Sequence, residues 1–438
     1  MGETLVKVKG KELVVEVGAY ESQAADVAAA PIEPIEIGEV VRRDYGHFLE
    51  DFTPGRIFRH PRGVTLDRAT MLDYARTFME MNPLYLNEAF AKAQGFDSLP
   101  AAPHMVMNLA LSLGVQNDSE KAIANLGYWD VRFLRPVYAG DTLRGATRIV
   151  DRKDRGVGKP GIITVETLAE NQEGRVVIQY RRKIMVPRRG DGPIEDPGVV
   201  SAGIEGGQFG QVGEGANEAE AAAEGFHWKT TPKLHLPFVA GVKGLGLTSE
   251  QSCLGAFKAG QVWVHSNGRT VTDEHFGWTY QVMNTHPLHY DRMYSSGRSG
   301  PMSGEPIVYG GLVFAWLLGL ASRDVSENAV AELGFHAGFH TQPTVAGDTL
   351  YALSRVLSVE PFPGADGHGA EVAVVAAELG VVRLQLIGVK NLRAEAALEK
   401  YGADLFIAED DKKRLGKEKI PQKVFEIERS LVVRVNPA

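Results

Sequence analysis

The chain writes one stretch twice, as Pro136-Val137-Tyr138-Ala139-Gly140-Asp141-Thr142-Leu143 and as Pro343-Thr344-Val345-Ala346-Gly347-Asp348-Thr349-Leu350. Both copies read Pro-x-x-Ala-Gly-Asp-Thr-Leu, a glycine-aspartate turn leading into a β-branched strand start. They lie 207 residues apart, and Leu126-Gly127-Tyr128 recurs at the same offset as Leu333-Gly334-Phe335. Upstream, Asn82-Pro83-Leu84-Tyr85 answers His286-Pro287-Leu288-His289 at an offset of 204. Several blocks recurring in one order argue against chance. A period this long means two copies of a domain, not a solenoid.

Working outward, each copy shows the same coarse order of elements. Residues 56–64 and 261–270 read as an opening strand and turn, followed by helical stretches over 67–79 and 272–283. A central helix is expected over 102–114 and again over 311–322, where Leu312, Trp316, Leu317 and Leu320 fall on one stripe. Runs rich in β-branched residues predict strands over 142–152, 161–171 and 175–186, then over 349–360, 370–378 and 381–391. One long helix on a curved antiparallel sheet, twice over, is an α+β arrangement.

Residues 190–225 are rich in Gly, Ala and Glu and hold no Lys or Arg. Such a stretch buries too little apolar surface to offset its ordering entropy and reads as a linker. The expected division is an N-terminal extension (1–45), a first domain (46–189), the linker (190–225), a second domain (226–394) and a C-terminal tail (395–438). Lys412-Lys413-Arg414, flanked by Glu409-Asp410-Asp411, reads as a solvated helix. The net charge of −8 speaks against a nucleic-acid partner. Cys253 is the one cysteine, so no disulfide forms within the chain and a reducing cytoplasm is expected. The longest apolar stretch, 307–321, is shorter than the roughly 20 residues a bilayer requires, and no membrane partner is expected.

The segment Asn284-Thr285-His286-Pro287-Leu288-His289-Tyr290-Asp291 resembles the hydratase motif of MaoC-like dehydratases, Asp-x-Asn-Pro-Leu-His. Ile307-Val308-Tyr309-Gly310-Gly311-Leu312 resembles that family's turn into its central helix, and the duplicated Gly-Asp-Thr blocks are similar to the strand and turn that follow. The resemblance spans nearly all of 46–190 and 255–394. Through Asn125-Leu126-Gly127-Tyr128 and Val308-Tyr309-Gly310-Gly311 it is narrowest to the β-methylmalyl-CoA dehydratases, also called mesaconyl-CoA hydratases. It implies a tandem (double) hot-dog fold, each half a curved antiparallel sheet wrapped around a central helix. It also implies hydration of a 2-enoyl-CoA or dehydration of a 3-hydroxyacyl-CoA, with the acyl-CoA thioester as partner, no cofactor, no metal, and room for a homodimer.

Such a dehydration needs a base for the α-proton, an acid for the leaving hydroxyl and stabilisation of the enolate oxygen. Imidazole titrates near neutrality, which makes His289 the expected proton carrier. The resemblance places the oxyanion and substrate contact at Tyr309, Gly310 and Gly311, where a helix start offers free N–H groups. The same glycines could equally serve tight helix–sheet packing. Where the family motif has Asp, this chain has Asn284, an amide that orients water but accepts no proton. Three explanations stand open. His289 works alone with Asn284 positioning the hydroxyl, a carboxylate such as Asp291 or Glu80 substitutes, or the site is inactive.

The first copy departs further, with Glu80 at the Asp position, Tyr85 at the His position and His104 where a glycine usually opens the helix. It is expected to shape the acyl or CoA pocket instead of doing chemistry. His336 and His340 alternate onto one strand face. With His286 and His289 they could in principle form a metal site, but the spacing matches no familiar ligand set and pocket-lining roles are expected. Arg292, Arg298 and Arg323 lie near the motif and are candidates for a distal acyl carboxylate. The rival readings are a general (R)-specific enoyl-CoA hydratase, an acyl-CoA thioesterase on the same fold, and a non-catalytic acyl-CoA-binding module.

Overall fold

The computed structural model describes residues 2–8, 11–17, 37–190, 192, 194, 234–238, 246–297, 304–362, 374 and 377–437. The chain forms two compact units, 1–44 and 45–438. In the first, β1 (Gly2–Val8) and β2 (Lys11–Val17) pair as an antiparallel hairpin.

The second unit holds the duplicated part. Its first half supplies β3 (Ile57–Thr65), β4 (Ala124–Phe133), β5 (Thr142–Lys153), β6 (Gly161–Glu170) and β7 (Val176–Val186). The second half supplies β8 (Val262–Thr270), β9 (Ala329–His340), β10 (Thr349–Pro361), β11 (Leu379–Lys390) and β12 (Lys423–Arg434). They build one ten-stranded sheet in the order β3-β5-β6-β7-β4-β9-β12-β11-β10-β8. Read from either edge inward the order is the same, and the halves join where Tyr128 of β4 lies opposite Gly338 of β9. This is the expected α+β double hot dog.

The repeated turn is built identically in both halves. Gly140 and Gly347 adopt φ of +96° and +90°, a conformation glycine takes at no steric cost. The carboxylate of Asp141 accepts from the Tyr138 N–H at 2.8 Å, and that of Asp348 from the Val345 N–H at 3.0 Å. Each turn thereby closes on an aspartate side chain and delivers a threonine into β5 or β10.

The central helices, Pro103–Gly114 and Gly310–Val325, are apolar nearly all round because the sheet and the opposite helix cover them. Leu312, Trp316, Leu317 and Leu320 are buried as the stripe predicts. Asn108 of the first helix donates to the Gly311 carbonyl of the second at 2.9 Å, tying the two together. Gly319 allows close approach on the other side, since a Cβ there would lie 1.7 Å from the Phe78 carbonyl oxygen.

Four expectations need correction. The strand expected over 370–378 falls largely outside the described residues, and its described members Val374, Ala377 and Glu378 are helical. The strand that completes the second half is β12, from the stretch set aside as a tail. It pairs with β9 on one side and β11 on the other, so both its edges are hydrogen-bonded. Its Lys423, Glu426, Arg429 and Arg434 are buried and ion-paired or hydrogen-bonded, and that charge masks the apolar pattern. The supposed solvated helix is the short Glu409–Lys412, whose Lys412 is only 1% exposed and bonds Glu409 at 2.6 Å. Finally, His336 and His340 do not share a face. The β9–β12 register steps from Ala337 to Phe335, a bulge that turns His336 outward to the Ser430 hydroxyl. The linker stretch 190–225 lies outside the described residues apart from 190, 192 and 194.

Candidate active site

The segment 284–289 is shaped by its own side chains. Asn284 is buried, and its Oδ1 accepts from the His286 N–H at 2.9 Å. Pro287 opens a single turn, Pro287–His289, whose Leu288 is buried as an anchor. The Leu288 N–H donates to His286 Nδ1 at 3.2 Å, so the His286 proton sits on Nε2. His289 carries the other tautomer. Its Nδ1 lies 3.1 Å from the Ile307 carbonyl, which only accepts, so Nδ1 holds the proton and Nε2 is a bare lone pair. Burial, with the nearby His286 and His340, pushes the His289 pKa down to about 3. The ring is therefore neutral at physiological pH, with one nitrogen ready to take a proton.

Both histidines line a cavity of about 560 Å³ between the halves. Asn284, Tyr309, Gly310 and His340 join them from the second half, while Asn125, Tyr128 and Arg182 come from the first. The Tyr309 ring lies 5.3 Å from that of His289, and burial pushes its hydroxyl up to about 12, so it is a donor at neutral pH. His340 Nε2 is 3.0 Å from the Tyr128 hydroxyl, a bond across the junction of the halves. Among the described residues, no group of three or more His, Cys, Asp or Glu is placed to hold a metal ion.

At the start of the second central helix the first intrahelical bonds run from Leu312 and Val313 to the Tyr309 carbonyl. The N–H groups of Gly310 and Gly311 precede them and have no intrahelical acceptor. The packing reading of these glycines is met. A Cβ on Gly310 would lie 2.5 Å from the His340 ring, and one on Gly311 would lie 1.9 Å from Asn108 Oδ1. Close packing requires glycine at both positions, and Gly310 also lines the cavity.

The carboxylates considered as substitutes for the missing Asp are elsewhere. Asp291 caps the helix Arg292–Ser296 by accepting from the Tyr294 N–H at 3.0 Å, and it does not line the cavity. The reason is local: two residues past the Pro287 turn, the chain has already begun a new helix that needs a cap. Glu80 is buried across the molecule, accepting from the Met81 and Asn82 N–H groups. Nor do Arg292 and Arg323, two of the three candidate arginines, line the cavity. Arg292 pairs with Glu305 and Arg323 with Asp324 at the surface, while Arg298 lies outside the described residues.

In the first half the matching site is filled. Glu80, Tyr85 and His104 surround about 20 Å³ together with Glu332 and Arg429. Residues 234–238 lie over the same region, with the His235 N–H donating to the Leu134 carbonyl at 2.8 Å and Leu236 beside Tyr85. Sequence reading missed Arg182 altogether, and Tyr128 entered it only through the repeat and the family resemblance. The repeat could have exposed Arg182, but its counterpart Arg429 lies 247 residues on instead of 207, behind the segment inserted before β12.

A single sheet made of two hot dogs, with a cavity lined by His286, His289 and His340 beside a helix start, defines a double hot-dog protein of the MaoC-like kind. Two solved structures share that architecture. A MaoC domain protein dehydratase from Chloroflexus aurantiacus J-10-fl superposes with a TM-score of 0.70 at 22% identity, over 91% of this chain and all of that one. A Mycobacterium tuberculosis protein described as having a double hotdog fold gives 0.61 at 20% identity, over 89% and 98%.

Residues 36–378 match the family model for mesaconyl-CoA hydratase, and the chain belongs to that family. The mesaconyl-CoA hydratase of Cereibacter sphaeroides is 28% identical over 353 residues, 80% of this chain and 91% of that protein. The beta-methylmalyl-CoA dehydratase of Chloroflexus aurantiacus is 27% identical over 329 residues, 74% and 86% respectively.

Proposed function

We propose that this chain is a hydro-lyase that interconverts a 2-enoyl-CoA and a 3-hydroxyacyl-CoA, with a short, branched dicarboxylic acyl group such as mesaconyl or β-methylmalyl. The observation that carries the reading is the bare Nε2 of neutral His289 in the same cavity as Gly310, the first residue of the second central helix. In the dehydration direction His289 Nε2 takes the α-proton. The thioester oxygen gathers the charge against the Gly310 and Gly311 N–H groups and the helix dipole. The resulting imidazolium then gives its proton to the departing hydroxyl, releasing water from the same face of the substrate.

A pKa near 3 makes the imidazolium a strong acid for that second step. The enolate charge developing beside it raises its proton affinity when the first step needs it. Asn284 and the Nε2–H of His286 position the hydroxyl, and no carboxylate takes part. Water addition is redox-neutral, so the scheme needs no electron-carrying cofactor. We extend the reading to a homodimer in the cytoplasm, to be checked by light scattering and cell fractionation.

The test is incubation with mesaconyl-CoA and with crotonyl-CoA, following enoyl-thioester absorbance and free thiol together. Loss of absorbance without thiol supports a hydratase, thiol release a thioesterase, and tight binding with neither a binding module. His289→Ala is expected to lower kcat by about 10²–10⁴-fold, the usual worth of a general acid–base. Full activity in that variant refutes the mechanism.

A further inference from the structure

Because the chain is duplicated, each residue of the cavity has a counterpart at the filled site, and one pair differs in a telling way. Arg182 of β7 lies opposite Tyr128 of β4, just as Arg429 of β12 lies opposite Phe335 of β9. Tyr128 and Phe335 are repeat equivalents, so the two arginines are as well. At Arg429 the guanidinium is closed off by Glu332, which accepts from Nε at 3.3 Å and also from Nη2. Glu80 adds a second carboxylate nearby.

At Arg182 the position of Glu332 is taken by Asn125, a neutral amide that lines the cavity. Arg182 is only 2% exposed and gives Nη2 to Asp118 at 2.6 Å. Among the described residues its buried Nε has no hydrogen-bond partner. Arg429 gives both Nε and Nη2 to Glu332, whereas Arg182 gives Nη2 to Asp118 and the Glu332 position on the cavity wall holds the neutral Asn125. Its depth suits an acyl end and not a CoA phosphate: the exposed cations Lys183 and Lys419 mark the mouth, and Arg182 is buried beside Tyr128 and Tyr309.

We propose that Arg182 reads a carboxylate at the far end of the acyl group, which takes the place at Arg182 that Glu332 takes at Arg429. The inference rests on the hydratase reading and sharpens it to specificity. Asp118 holds the guanidinium through Nη2, and the N–H groups left over on this cavity-lining arginine are donors for a second carboxylate. A monocarboxylic acyl chain would leave this buried donor unmet.

The test compares kcat/KM for mesaconyl-CoA and crotonyl-CoA in two variants. Arg182→Gln with Asp118→Asn removes the buried pair together, so no lone charge is left inside. Asn125→Glu supplies from the protein the carboxylate found at the other site. In each, the mesaconyl-to-crotonyl ratio is expected to fall by about 100-fold or more, the size of a desolvated charge-assisted pair. A ratio within threefold of wild type, in either variant that still hydrates crotonyl-CoA, overturns the proposal. So does a wild-type protein that prefers crotonyl-CoA. If the double variant does not fold, Asn125→Glu decides. Calorimetric titration of both thioesters separates the two readings: Arg182-dependent preference in binding without turnover overturns the hydratase reading alone.

Discussion

Lowering the pH from 7.5 to 5.5 should weaken this fold by several kcal/mol. Burial pushes the pKa of His60 and His340 down to about 4, and of His104 and His289 down to about 3. All four remain neutral in the folded chain at pH 5.5, while in the unfolded chain each takes up a proton near its ordinary 6.5. A group with a depressed folded pKa binds fewer protons when folded. Stability is therefore complete above 6.5 and is lost as pH falls toward the folded value. Over this interval each histidine costs about 1.4 kcal/mol, about 5 kcal/mol for the four.

Glu332 works in the opposite sense. Burial pushes it up to about 7, so the folded chain gains a proton there in the same window and recovers about 2 kcal/mol. The net loss is about 3–4 kcal/mol, a large part of the roughly 5–15 kcal/mol a domain has. Urea unfolding followed by tryptophan fluorescence at the two pH values measures it. His104→Met should remove about 1.4 kcal/mol of the pH dependence, because this histidine is fully buried and lies away from the cavity. A shift below about 1 kcal/mol in wild type, or an unaltered pH dependence in His104→Met, would refute the account of neutral buried histidines.

Asn284→Asp places a carboxyl where the native side chain is 2% exposed, and burial will raise its pKa. The variant should hydrate about tenfold more slowly than wild type at pH 8 and recover as pH falls and the group neutralises. A faster rate at pH 8 would instead show that His289 lacks a carboxylate it could use. Gly310→Ala forces a Cβ against the His340 ring, and a thermal melt should show about 1–3 kcal/mol lost together with activity. Ending the chain at residue 394 removes β12 from between β9 and β11, and the product should be insoluble or unfolded by circular dichroism. A folded, soluble product would mean that β9 and β11 can close on each other.

The sequence by itself determined the duplication, the turn that opens each β5 and β10, the two central helices and the placing of His289, Asn284 and Gly310. These are local facts: a glycine at positive φ, an aspartate closing its own turn, a proline starting a helical turn, an apolar stripe. Tertiary structure decided what depends on a neighbour far along the chain. Asp291 became a cap because a helix begins there, and His336 left the face of His340 because one bulge reverses the side-chain alternation. β12 was hidden because its charges are legible as surface residues until their partners Glu332, Glu409 and Asn436 are seen beside them. Arg182 could be found only once the sheet set β7 beside β4, opposite a histidine more than a hundred residues away.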